Sequence, residues 1–224
     1  MPVSRDAGTG IGVSAICRAR FVLEQPADAR YTERVRATHT ITRQEAAMKG
    51  PMPAWMFRFM EFMLALRDVL ISPRRRLVSA GVRGGSRVLD FGCGPGTYSI
   101  EAARVAGQDG RVYALDIHPL AARRVEEAAA REGLSNISTI VSDGATGLEE
   151  RSVDVILFYD TIHLLDHPEA VLREMHRVLA PGGTLSVASH FMRKRHIVEL
   201  VSRGGLFEYR GAGYESLLFT RGAG

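Results

Sequence analysis

Residues 88–97 read Val-Leu-Asp-Phe-Gly-Cys-Gly-Pro-Gly-Thr and pass from an apolar run through an acid into a glycine-rich turn. This pattern predicts a buried strand that ends at a ligand and is followed by a helix. Glycine has no Cβ, so it permits tight backbone angles and lets main-chain N–H groups approach a polar ligand at a helix N-terminus. A glycine-rich turn alone is weak evidence, because such turns also occur for structural reasons.

Three segments further along repeat the pattern of an apolar strand that ends in an acid. The second strand ends at Asp116, which follows Gly96 by 20 residues, the spacing of a carboxylate that accepts both hydroxyls of a ribose. The third and fourth strands end at Asp143 and Asp160. Because helical segments separate them, the four strands are predicted to be parallel and to bring four carboxylates to one ligand-binding edge of a sheet.

The remaining periodicity predicts strands and helices in alternation. Two helices are predicted before the first strand, at 54–70 and from Ser72 to near Gly81, and a hairpin of two β-type runs, 206–210 and 214–220, ends the chain. The other predicted strands are 86–91, 111–116, 137–142, 153–158 and 184–189, and the other predicted helices are 97–106, 119–132, 168–179 and 193–203.

Five motifs in this order resemble the class I S-adenosylmethionine (SAM)-dependent methyltransferases, of the small-molecule type that includes quinone-biosynthesis enzymes. The resemblance covers about residues 80–220 and implies a Rossmann-like fold: a mostly parallel seven-stranded sheet with an antiparallel last strand and helices on both faces. The motifs are VLDFGCGPG from Val88, ALD ending at Asp116, SDG around Asp143, FYDTIHLL from Phe158 and LAPGGT from Leu179.

The resemblance also implies how SAM would be held. Main-chain N–H groups of the glycine turn would meet its methionine end, and Asp90 its ammonium. Asp116 would accept from the ribose and Asp143 from the adenine amine, with the next N–H on a ring nitrogen. An alternative for Asp90 is a buried acid that ties two loops together. The expected cofactor-binding residues are Asp90, Gly92, Cys93, Gly94, Gly96, Asp116, Ile117, Asp143, Gly144 and Tyr159.

The methyl group would face the residues that follow the fourth strand. His163 is the expected proton acceptor there, because an imidazole titrates near neutral pH; the alternative is that it braces the turn before Pro168. The segment lacks the Asn/Asp-Pro-Pro-aromatic signature of enzymes that methylate base amines, and Asp160 alone does not indicate a magnesium site. We therefore expect a small-molecule or lipid-like acceptor, no nucleic-acid partner and no metal.

The length and composition predict a protein with one hydrophobic core and not two catalytic domains. The chain has 224 residues, of which 46% are hydrophobic, and a net charge of +4. The two cysteines, Cys17 and Cys93, are expected to be reduced, which predicts a cytoplasmic protein. We expect three regions: a poorly ordered segment at 1–50, a helical cap at 51–82 and the SAM-binding core at 83–224.

No secretory signal is recognised, and the longest apolar stretch, residues 54–67, is broken by charges and too short to span a bilayer. A weak contact of the cap with a membrane surface, through Trp55 and the phenylalanines that follow it, is an open alternative. Two functions compete with methyl transfer: an NAD-dependent oxidoreductase with a Rossmann domain, and a non-catalytic SAM-binding protein.

Overall fold

The computed structural model describes residues 72–223 together with Pro53, Trp55 and Met56. The expectations for residues 1–50, and for most of the cap at 51–82, lie outside the described residues. Trp55 and Met56 are helical, and their side chains are exposed.

Seven strands form one sheet in the order β3-β2-β1-β4-β5-β7-β6. The first five strands run parallel, whereas β7 is antiparallel to both of its neighbours, as the resemblance implied. The order reverses between β1 and β4, so the carboxyl ends of these strands form the edge where a parallel sheet binds its ligands. The strands are β1 (Arg87–Phe91), β2 (Arg111–Asp116), β3 (Ile137–Val141), β4 (Val153–Tyr159), β5 (Leu179–Ala188), β6 (Phe207–Gly213) and β7 (Ser216–Arg221).

Helices cover both faces of the sheet because its strands are apolar on both sides. On one face Val88 and Val155 belong to the same buried cluster as residues of the first three helices. On the other, Leu89 and Ile156 belong to a cluster with residues of the last two. The helices are α1 (Pro73–Ser79), α2 (Thr97–Ala106), α3 (Pro119–Glu132), α4 (Pro168–Val178) and α5 (Lys194–Ser202), with a 3-10 turn at Ile162–Leu164.

Local sequence explains where two of these helices begin and end. Ser72 accepts a hydrogen bond from the Arg75 N–H and so caps α1, with Pro73 in the first position. The imidazole of His118 does the same for α3, accepting from the Leu120 N–H before Pro119. Gly133 ends α3 in the left-handed conformation, with φ of 66°.

Several strands differ from their predicted bounds, and the fifth differs most. β6 extends to Gly213 instead of ending at Arg210, and β7 begins at Ser216 instead of Tyr214. The fifth strand was expected at 184–189, but β5 begins at Leu179, directly after α4. Leu179 pairs with Val153 across a register shift in β4, so the Pro-Gly-Gly segment, which lies between the predicted helix and the predicted strand, is a distorted part of the strand. The fourth strand extends by one residue to Tyr159.

Candidate functional site

The glycine turn after β1 is shaped by close neighbours. Gly92 has φ of 80°, and a Cβ at this position would overlap the side chain of Thr161. Gly96 has φ of 91°, and its Cβ would lie 2.6 Å from Cγ2 of Val125 in α3. Side chains are therefore excluded at both positions by backbone conformation and by contact. Through Thr161, the turn touches the segment that follows β4.

The N–H groups of this turn donate to oxygen atoms of the protein, and their expected contacts with SAM stay a prediction. Gly92 and Cys93 both donate to the carbonyl oxygen of Leu115, at 2.7 and 2.9 Å. Gly94 donates to Oδ2 of Asp116 at 2.9 Å, and Gly96 donates to the carbonyl oxygen of Cys93 at 3.0 Å. These bonds fasten the turn to the end of β2.

Asp116 ends β2 and is held by main-chain donors on both sides. Oδ2 accepts from Gly94, and Oδ1 accepts from the N–H of His118 at 2.8 Å. A carboxylate has about four acceptor positions, so the two oxygens retain lone pairs for the two hydroxyls of a ribose. The bonds fix the plane of the carboxylate before a ligand arrives, which is the preorganisation a binding site needs.

Asp90 is a buried acid at the end of β1, only 3% exposed. Oδ2 accepts a 2.5 Å hydrogen bond from the hydroxyl of Ser99 in the first turn of α2. Burial raises its pKa to about 7, with the Ser99 bond opposing the shift and Asp116 adding to it. No basic side chain in residues 72–223 forms an ion pair with it. A buried carboxylate without a cation fits the ammonium group of SAM.

The residues expected around adenine lie after β3. Asp143 is exposed, whereas Gly144 is buried with φ of 146°. The Gly144 N–H donates to the hydroxyl of Ser142 at 3.2 Å, and its expected contact with a ring nitrogen of adenine stays a prediction. Ile117 is half-buried beside Asp116 at the same edge.

Two other predicted cofactor contacts are turned into the core. Tyr159 is 6% exposed, and its hydroxyl lies 2.9 Å from that of Ser186 in β5. Burial raises the pKa of Tyr159 well above its usual value, so this phenol stays protonated. Burial also raises the pKa of the Cys93 thiol, so that residue does not supply a thiolate. Both side chains are thus buried and uncharged, and the part of these residues in binding the cofactor stays a prediction.

A carboxylate between two histidines lies at the carboxyl ends of β4 and β5. Asp160 has φ of 50°, unusual for a residue with a side chain. Its two oxygens lie 2.9 and 3.0 Å from Nδ1 of His190, and Oδ1 also accepts from the His190 N–H at 2.9 Å. A proton held between Nδ1 and Asp160 leaves Nε2 of His190 as an acceptor. Sequence reasoning did not single out His190, although it is the second polar residue after an apolar strand ending at this edge.

His163, the predicted proton acceptor, lies next to the same carboxylate. Burial lowers its pKa, and the charge of Asp160 partly opposes that change. Its Nδ1 is 3.4 Å from the hydroxyl of Ser189, and its ring centroid is 4.4 Å from that of Phe191. Neutral at physiological pH, it is able to accept a proton, and its stacking on Phe191 holds it in place.

Large apolar side chains stay exposed around these histidines. Phe191 is 75% exposed and Leu164 is 42% exposed. An exposed aromatic ring beside polar groups that converge is a feature of ligand sites. Residues 72–223 contain no group of three or more His, Cys, Asp or Glu side chains that could hold a metal ion. In the same part of the chain, no helix has the length and hydrophobicity needed to cross a bilayer.

Residues 83–204 match the family model described as a methyltransferase domain. Among curated proteins, the aklanonic acid methyltransferase DauC of Streptomyces sp. (strain C5) is 37% identical over 111 residues, covering 49% of this chain and 50% of that protein. The demethylmenaquinone methyltransferase of Geobacillus kaustophilus is 31% identical over 103 residues, 46% of this chain and 44% of that protein. The chain thus matches about half the length of these relatives.

Two solved structures share the fold. A SAM-dependent methyltransferase from Aquifex aeolicus has a TM-score of 0.60 at 24% identity, covering 68% of this chain and 89% of that one. A putative SAM-dependent methyltransferase from Methanococcus maripaludis also has a TM-score of 0.60, at 17% identity, covering 77% of this chain and 95% of that one. With its seven-stranded sheet and its family match over more than half its length, the chain belongs to the class I SAM-dependent methyltransferases, whose cofactor is SAM.

Proposed function

We propose that this chain transfers the methyl group of SAM to a small-molecule or lipid-like acceptor, and that the acceptor loses a proton to a histidine at the β4–β5 edge. The observation that carries this proposal is the group formed by Asp160, His163 and His190. It follows β4 directly, and Thr161 within the same segment contacts the glycine turn. The segment that carries Asp160 and His163 therefore contacts the glycine turn.

The reaction is an in-line displacement at a methyl group that the sulfonium of SAM already activates. The protein then has two tasks, alignment and proton removal. Alignment supplies about 7–11 kcal/mol in well-oriented reactions, and the braced Asp116 and the buried Asp90 are suited to fix the cofactor for it. A positioned base adds about 10²–10⁴-fold when the acceptor is a hydroxyl or an acidic C–H.

His190 is the better placed of the two histidines for proton removal. Asp160 binds its Nδ1, which orients the ring and stabilises the imidazolium that forms. Its side chain is 43% exposed and so open to an acceptor. His163, our expectation from sequence, is the second candidate; its stacking on Phe191 also suits a wall of the acceptor site.

The acceptor is proposed to be largely apolar. The exposed rings and methyl groups of Phe191 and Leu164 flank the histidines and suit a flat or aliphatic molecule. The named relatives support this class, since one is an aklanonic acid methyltransferase and another a demethylmenaquinone methyltransferase.

The site residues listed from sequence remain our proposal for the cofactor contacts. We also propose a cytoplasmic location, which suits the free thiol of Cys93.

The test combines binding with turnover. Purified protein should bind SAM and its demethylated product, S-adenosylhomocysteine, with Kd values on the order of micromolar, and should not bind NAD. Incubation with SAM and a panel of quinols, phenols, polyketide acids, lipids and tRNA should release S-adenosylhomocysteine with a small molecule or a lipid but not with tRNA. SAM binding without turnover on the panel would favour a non-catalytic SAM-binding protein, and release with tRNA would overturn the acceptor class.

A further inference from the structure

A segment rich in cations borders the histidines of the proposed acceptor site. Residues 190–196, called the basic segment below, read His-Phe-Met-Arg-Lys-Arg-His and contain no acid. All of them except Met192 are exposed. The segment leads from β5 into the first turn of α5. Its cations therefore lie at the same edge of the sheet as Asp160.

The cations of the basic segment are poorly compensated. Within residues 72–223, neither Arg193 nor Lys194 forms an ion pair, and Arg195 forms one only at 3.6 Å, with the exposed Glu199. The helix dipole opposes positive charge in the first turn of a helix, and the first turn of α5 has neither an acid nor a side-chain cap. The stability of α5 therefore does not explain why the cations are grouped here.

An exposed aromatic ring lies beside these cations. Phe191 has the most exposed large apolar side chain of the described residues. Its ring centroid is 4.4 Å from that of His163, and the neighbouring Leu164 is exposed as well. Apolar side chains are stabilised by leaving water, and cations are stabilised near anionic headgroups. A membrane that contains anionic lipids offers both environments within a few ångströms of depth.

We propose that the basic segment docks this protein on the surface of an anionic membrane. Phe191 inserts among the lipid chains just below the headgroups, and the cations Arg193, Lys194 and Arg195 meet the phosphates. Because Phe191 also contacts His163, the acceptor site faces the bilayer in the docked protein. An apolar acceptor dissolved among the lipids then reaches the histidines without crossing water. The contact itself does not depend on methyl transfer, whereas this use of it rests on the proposed function.

The test measures how the purified protein sediments with lipid vesicles. Vesicles of phosphatidylcholine are compared with vesicles in which about one quarter of the lipid is phosphatidylglycerol, and only the second should bind the protein well. The variant Arg193→Gln/Lys194→Gln/Arg195→Gln should bind the anionic vesicles about 100-fold more weakly, since each cation near such a surface contributes about fivefold. Raising the salt from about 0.1 M to about 1 M should release most of the wild-type protein, because the Debye length falls from about 10 Å to about 3 Å.

A matched control removes three other exposed cations. Arg83→Gln/Arg131→Gln/Arg203→Gln lowers the net charge equally, but Arg83 precedes β1, and the other two lie at the ends of helices that run back from the ligand-binding edge. It should bind anionic vesicles within about twofold of the wild type, since distant charges are screened. Phe191→Ser should weaken binding about 10- to 100-fold, the range for burial of a phenylalanine ring. Surface changes have small effects on stability, so all three variants should melt near the wild-type temperature.

The possible outcomes separate this inference from the proposed function. Equal binding to both kinds of vesicle, or full binding by the variant of the basic segment, would overturn the membrane contact. It would also be overturned by release with inorganic phosphate at constant ionic strength, which indicates a site for free anions, or by tighter binding of tRNA than of vesicles. A protein that binds SAM and methylates an acceptor but binds no vesicles would contradict this inference alone. Binding to anionic vesicles without binding of SAM would support the contact and contradict the proposed function.

Discussion

The two halves of the ligand-binding edge are built differently. At the β1–β2 half, called the braced half below, main-chain N–H groups donate hydrogen bonds that join the glycine turn, Asp116 and the start of α3. At the β4–β5 half, called the open half below, a few side-chain contacts hold the polar groups in place, and the ring of Phe191 is three-quarters exposed. A cofactor common to a whole family suits the braced half, and we propose that the open half determines which acceptor binds.

Replacing His190 in the open half should give the largest change in activity. His190→Ala should lower kcat by about 10²–10⁴-fold, because it removes the proposed proton acceptor, and should leave SAM affinity nearly unchanged. His163→Ala is the comparison and should reduce kcat less. Steady-state kinetics and calorimetry on both variants decide between the histidines: the reverse order would make His163 the base, as expected from sequence. Equal, full activity in both would exclude a histidine base.

A methyl group added to the braced half should cost stability. Gly92→Ala should lower the free energy of unfolding by about 2–4 kcal/mol, since it combines a left-handed φ with a collision against Thr161. Gly94→Ala has a similar conformation but nothing within 4 Å of its Cβ, so about 1–2 kcal/mol is expected. Urea unfolding measures both. Equal losses of unfolding free energy in the two variants would mean that the contact with Thr161 adds nothing to the cost of Gly92→Ala.

Removing a ribose acceptor should weaken SAM binding by a smaller amount. Asp116→Ala should cost about 1.5–3 kcal/mol of binding free energy, the range for hydrogen bonds to a charged group. Asp143→Ala should cost about 0.5–1.5 kcal/mol, because its expected contact is one bond to adenine at an exposed position. Calorimetry with SAM compares the two. An unchanged affinity in Asp116→Ala would remove this residue from the cofactor site.

The buried acid of the braced half predicts a small pH effect. Between pH 3.8 and about 7, folded Asp90 keeps a proton that the unfolded chain has released. The stability that it contributes therefore falls as pH rises, by at most about 1.4 kcal/mol per pH unit. Asp90→Asn should remove this slope in urea unfolding at several pH values without ligand. A slope that persists in Asp90→Asn would assign the effect to other groups.

The braced half follows closely from sequence because its signals are local. Helices α2 and α3 have the predicted bounds, since a glycine turn or a proline begins each and a glycine ends each. The start of β5 was not predictable, because Leu179 joins the sheet through a register shift with a distant strand. The direction of the turn's N–H groups likewise depends on the carbonyl of Leu115 in another strand.

Two residues have surroundings that no short pattern in the sequence shows. Arg76 stands third in a run of arginines that suggests a solvated helix, and only its packing against Tyr98 reveals it as buried. His190 follows β5 by two residues, and it contacts a carboxylate because Asp160 directly follows the neighbouring strand, β4. For His190, the sequence predicts that the residue lies at the ligand-binding edge of the sheet. Which side chain it contacts there depends on how the strands pair.

The place of β7 has a consequence for how this chain acquires its fold. Residues 216–221 lie between β5 and β6, yet both of those strands are made earlier on the ribosome. Until Leu217 and Phe219 emerge, β5 presents an unpaired apolar edge of the kind that associates with other chains. Completion of the sheet therefore depends on this late segment, because β5 and β6 are joined to each other only through residues 216–221.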